Sequence, residues 1–120
     1  VEARADMNQA DNYGATPLFM AAQNGHMKVV HFLVEDGADM NQAMNDGATP
    51  LCIATQNGHM TVIRLLVEAG ADMNQTMNNG ATPLFIAAQN GHMKVVHSLV
   101  EAGADMNQVT NDGATQSVPF

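Results

Sequence analysis

Residues 82–92 read TPLFIAAQNGH, and the chain has already written nearly the same words twice, as TPLFMAAQNGH from Thr16 and TPLCIATQNGH from Thr49. Thr16, Thr49, Thr82 and Thr115 follow one another at a constant interval of 33 residues. A fixed period of this size belongs to a stacked array, in which each unit buries its apolar face against its neighbours. Inside the stretch, Thr82 is a good helix N-cap, and Pro83 at the first helical position forfeits no hydrogen bond. Leu84, Phe85, Ala87 and Ala88 follow, the alanines leaving a flat side for close packing. Asn90-Gly91 would signal a hairpin between alternating strands; after a helical pattern, Gly91 reads as the left-handed residue that ends a helix.

Further along, Met93, Val95, Val96, Leu99 and Val100 recur at helical spacing and predict a second amphipathic helix, which Gly103 ends. The run ADMNQ and the polar residues 111–113 connect to the next period. Each unit is therefore expected to be two short antiparallel helices and an extended loop, with helices near residues 17–24 and 27–35 and their counterparts one period later. Helices this short are marginal in isolation, so neighbouring units must supply the burial.

Residues 80–108, GATPLFIAAQNGHMKVVHSLVEAGADMNQ, resemble the ankyrin repeat and its skeleton G-x-TPL-x-x-AA-x-x-GH-x-x-VV-x-L-L-x-x-GAD-x-N. The resemblance covers three whole units, residues 11–43, 44–76 and 77–109, with partial units at 1–10 and 110–120 of a single domain. It implies an all-α solenoid of stacked helix-turn-helix units joined by β-turn, hairpin-like loops. It also implies a non-catalytic module that binds a protein partner through its loop tips and the groove along its first helices. By register the tips are Asn12-Tyr13, Asn45-Asp46, Asn78-Asn79 and Asn111-Asp112, and the helix positions are Gln23-Asn24, Gln56-Asn57 and Gln89-Asn90. The expected contact set is Tyr13, Asp46, Asn79 and Asp112, supported by the three Gln-Asn pairs.

The departures from the skeleton carry expectations of their own. Phe19, Cys52 and Phe85 replace the histidine that usually follows Thr-Pro-Leu and makes local hydrogen bonds. Methionines 40, 73 and 106 stand where valine or isoleucine usually does, and methionine fills gaps flexibly. Ser98 occupies the place of Phe32 and Leu65, on what is expected to be an apolar helix face. Neither end shows a polar capping unit, so weak self-association through the ends is expected.

Composition narrows the function. With 4% aromatic residues and no Trp, the 120-residue chain suits thin layers better than one thick core. A net charge of −8 and four scattered basic residues, Arg4, Lys28, Arg64 and Lys94, argue against nucleic acid and favour a basic protein partner. No apolar run approaches membrane-spanning length, and a lone Cys52 favours a reducing, intracellular and cytoplasmic setting.

Five histidines and twelve acids invite a metal reading. Yet His26, His59 and His92 recur once per unit, and equivalent side chains on packed helices start about 8–10 Å apart. Zinc holds nitrogens at about 2 Å, so such a ladder cannot converge on one ion. The same holds for calcium at Asp39, Asp72 and Asp105. His31, Arg64 and His97 read as a solvated face, Cys52 as a packing thiol, and NQT at residues 74–76 as a chance glycosylation match. No catalytic constellation or cofactor cradle is present. Units one and three differ at only six positions, Asp11/Met77, Tyr13/Asn79, Met20/Ile86, Phe32/Ser98, Asp36/Ala102 and Ala43/Val109. That uniformity supports a second reading, a structural solenoid segment without a dedicated partner. The variation among Tyr13, Asp46 and Asp112 at the tips supports docking.

Overall fold

Each Thr-Pro-Leu turns the chain into a helix, and the computed structural model, which describes residues 6–107, shows how. Thr16, Thr49 and Thr82 accept hydrogen bonds through Oγ1 from the backbone N–H of Phe19, Cys52 and Phe85 at 3.1, 3.2 and 3.2 Å. These caps open α1 (Pro17–Gln23), α3 (Pro50–Gln56) and α5 (Pro83–Gln89), each with proline in the first turn. The first helices end one residue short of the expected 17–24. At each end an asparagine caps the helix and a glycine with φ near +70° reverses the chain. In the first unit, Gly25 N–H donates to Ala22 and His26 N–H to Ala21, the paired closure that a left-handed glycine permits. The second helices, α2 (Met27–Glu35), α4 (Met60–Glu68) and α6 (Met93–Glu101), follow at once.

Six helices and no strand occur among the described residues. α1, α3 and α5 lie side by side in one row, α2, α4 and α6 in a second row behind it, and the stack measures 53 × 26 × 20 Å. The main core runs between the rows: Leu18, Leu51 and Leu84 face Val30, Ile63, Leu66, Val96 and Leu99, with alanines filling the thin spaces between helices. Met7, Met40 and Met73 pack against its edge, while Met106 is exposed.

A smaller column answers the missing histidines. Phe19, Cys52 and Ile86 join Ala15, Ala48 and Ala81 in a second apolar cluster beneath the loops. Phe85 packs against its edge. The helix caps need only the threonine, so the usual histidine is dispensable there. The expectation for Ser98 needs correcting. Phe32 is 64% exposed and Ser98 is only partly buried, lining an open groove between α4 and α6 beside Val67. The position lies on the rim of a unit-to-unit contact, where Leu65 of the middle unit packs against the edge of the core.

One buried group is poorly served. Thr55, on α3 where the neighbouring units carry Ala22 and Ala88, is fully buried, and among the described residues its Oγ1 has no hydrogen-bond partner. An unsatisfied buried hydroxyl costs about 1–3 kcal/mol. Thr55→Val keeps the shape and removes the hydroxyl, so it is expected to raise stability by about 1–2 kcal/mol. Urea unfolding followed by circular dichroism measures this, and a loss of stability would mean that the hydroxyl does have a partner.

Candidate interaction surface

The loops between units are stitched to one another by two hydrogen-bonded ladders. At the tips, Asn45 N–H donates to the Tyr13 carbonyl at 2.9 Å and Asn78 N–H to the Asp46 carbonyl at 3.0 Å. The side-chain amides of the same asparagines reach back one unit, Asn45 Nδ2 to the Asn12 carbonyl and Asn78 Nδ2 to the Asn45 carbonyl. In the second ladder, Asp39, Asp72 and Asp105 donate their N–H to Oδ1 of Asn8, Asn41 and Asn74, each at 2.8–2.9 Å. Gln42 and Gln75 extend that ladder to the carbonyls of Asn8 and Asn41.

These ladders sort the expected contact residues. Asn45 and Asn78 are spent on the stack itself. Tyr13 is 71% exposed, and Asp46 and Asn79 are exposed at the equivalent places. Asp46 and Asn79 each turn one side-chain oxygen inward to accept the N–H of Ala48 or Ala81 at 2.9 Å, which fixes the side chain's direction. Tyr13 instead donates its backbone N–H to Asp11, leaving the ring in solvent. Asp112 lies outside the described residues.

On the first helices, Gln56, Gln89, Asn24, Asn57 and Asn90 are exposed and Gln23 is half-buried. The Gln23 carbonyl accepts from Asn57 Nδ2 at 3.0 Å and from His59 Nε2 at 2.9 Å. His92 repeats the contact, donating to the Gln56 carbonyl at 3.2 Å. A carbonyl partner requires the proton on Nε2, and through it each ring is a structural rung between units. Sequence reading placed the histidines in structural roles; the partner one unit back was hidden, since the two residues stand 36 apart.

Cations are confined to the second-helix layer among the described residues, where Glu35, Glu68 and Glu101 accompany them. The basic residues among those described, Lys28, Arg64 and Lys94, all stand on the second helices. α1, α3 and α5 carry no charged residue, and the loops carry acids: Asp11 and Asp46 at the tips, with Asp39, Asp72 and Asp105 exposed once per unit below them. Cys52 sits under this surface, and burial pushes its thiol up from the usual range while hydrogen bonds to Thr49 pull the other way. A protonated, buried thiol is a poor nucleophile. Among the described residues, no three His, Cys, Asp or Glu side chains gather closely enough to hold a metal ion, and no helix is long and apolar enough to cross a membrane.

Paired helices in two rows, with hydrogen-bonded loops projecting along one edge, define a helical repeat solenoid. Family comparison agrees: the model for ankyrin repeats in three copies matches residues 37–110, and the single ankyrin repeat matches residues 13–45. The chain belongs to the ankyrin repeat family. Ankyrin repeats are generally protein–protein interaction modules and typically non-catalytic. A search of curated proteins finds no match to this chain.

Proposed function

We propose that this chain is a docking module that holds a basic protein segment across its loop tips and first helices. One observation carries the reading: the tip backbones are locked by the ladder, while the side chains at the three equivalent tip places, Tyr13, Asp46 and Asn79, are exposed and all different. Asn45, Asn57 and Asn78 bond to the unit before them, so their sameness does not count against recognition. A rigid frame with a few varied side chains is what specific binding needs, because little entropy is lost on docking. Acids without cations on this side favour a basic partner and faster association at low salt. Tyr13 is the anchor in this reading, a large ring with few torsions to freeze. Gln23, Gln56 and Gln89, with Asn24 and Asn90, supply hydrogen bonds beside it.

Selection of binders from a displayed library of random peptides tests this without a partner in hand. Binders are expected to be rich in Lys and Arg. Tyr13→Ala is expected to weaken them by about 1–2 kcal/mol, or roughly 5–30-fold. His31→Ala, an exposed change on the second-helix layer, should leave affinity unchanged. Binders that ignore Tyr13 and Asp46 but are lost with His31→Ala would place docking on the other layer. Failure to select any binder would favour the purely structural segment.

A further inference from the structure

One groove on the second-helix layer differs from its counterpart a unit earlier. It runs between α4 and α6 as three adjoining hollows of about 250, 280 and 280 Å³. Both walls belong to whole units, and each lining residue is among those described. Ser98 stands where Leu65 packs on α4 and Phe32 stands on α2, so the side chain that would fill the middle is missing. Lys94 takes the place of Thr61, and Arg64, on the facing wall, takes that of His31. Two fixed cations therefore line one opening.

The charges are sorted along its length. Lys94 lies in the first turn of α6, Arg64 midway along α4, and Glu68 and Glu101 are the last residues of the two helices. The hollow at the helix starts, lined by Met60, His92, Met93 and Lys94, contains no acid; the one at the helix ends is flanked by Glu68 and Glu101. A helix is stabilised by acids near its start and cations near its end, because of its backbone dipole. Lys94, Glu68 and Glu101 stand the opposite way round, so their charges reinforce the dipoles of two neighbouring helices. Among the described residues, none of Lys94, Arg64, Glu68 and Glu101 takes part in an ion pair. The groove thus carries a field that runs from positive to negative, with unspent charges at both ends. We infer that it holds an extended peptide segment bearing an acidic and a basic side chain three residues apart, a different partner chemistry from the basic segment at the tips. Lys94 and Glu101 are seven residues apart, about 10 Å along a helix. A peptide in the polyproline II conformation turns once in three residues and about 9.3 Å, so side chains three apart share one face. The acid meets Lys94 and Arg64, the base meets Glu101 and Glu68, and the room left by Ser98 admits the peptide backbone.

Titration of the isotope-labelled 120-residue chain with the blocked peptide Gly-Glu-Pro-Pro-Arg-Gly, followed by amide NMR, tests this. Shifts are expected at Arg64, Lys94, Ser98 and Glu101, with a Kd of about 0.1–1 mM for so small a ligand. Replacing the peptide's Glu or Arg by Gln should weaken binding about twofold to fivefold, the worth of one exposed ion pair. Lys94→Glu, at an exposed position, should weaken it about tenfold by turning attraction into repulsion. Ser98→Leu restores the residue that the middle unit carries at this place, leaves the charges alone, and should abolish binding by filling the groove. Tyr13→Ala, which removes the anchor at the tips, should change nothing, so this surface and the tip surface stand or fall separately. Absence of shifts at about 5 mM peptide, well above the expected Kd, overturns the inference. So does binding that survives both Lys94→Glu and Ser98→Leu, or shifts confined to the tips and lost with Tyr13→Ala.

Discussion

Gly47→Ala is expected to destabilise the protein by about 3 kcal/mol, well beyond what a glycine change in a turn normally costs. Gly47 sits at φ +89°, where an L-residue is strained by about 1–2 kcal/mol. The larger part comes from the neighbouring unit. A Cβ at Gly47 would lie 2.7 Å from the Asn78 nitrogen and 2.8 Å from the Met77 Cα, both backbone atoms that no rotamer change can move. Relieving that contact pushes the third unit's loop away and loosens the Asn78 N–H bond to the Asp46 carbonyl. Gly91 is the control: its φ is +72°, but among the described residues nothing lies within 4 Å of an added Cβ. Gly91→Ala should therefore show the backbone cost alone, about 1 kcal/mol. Thermal and urea unfolding of both variants measure the difference. Equal losses would mean that the tips of units two and three do not stack closely.

Leu51→Ala should cost about 3–4 kcal/mol, the second of the two largest effects. Leu51 is completely buried in the middle unit, with α1 on one side and α5 on the other. Truncation removes three carbons' worth of transfer free energy and leaves a cavity that packed helices on both sides cannot collapse. In a stack whose stability is the sum of units and junctions, damage to the middle unit weakens both junctions. The melting temperature should fall by more than about 10 °C, and unfolding should lose its single cooperative step as the outer units separate. A shift of only a few degrees with the transition still sharp would show that the alanine-rich rows can close over the gap.

Repeat period, helix starts at Thr-Pro, helix ends at glycine and the apolar face of each helix could all be read from residues 82–103 before any coordinates. They were legible because caps, turns and periodicity are local: the partners stand three to six residues apart, and chemistry at that range constrains the backbone directly. The tip positions could be read too, since register carries them from one unit to the next. Which of them are available for recognition could not. Asn45 and Asn78 look as available as Asp46 and Asn79 in sequence, yet their amides bridge to carbonyls 33 residues away. Val29, Val62 and Val95 are the same residue at the same place in the period, and their exposures differ, 48% against 1% and 3%, according to whether a preceding unit among the described residues packs over them. Phe32, on a helix face read as apolar, is 64% exposed. Local sequence dictates what each unit is, since a unit's hydrogen bonds close within itself; burial and the spending of side-chain amides are properties of the contact between units, and only stacking assigns them.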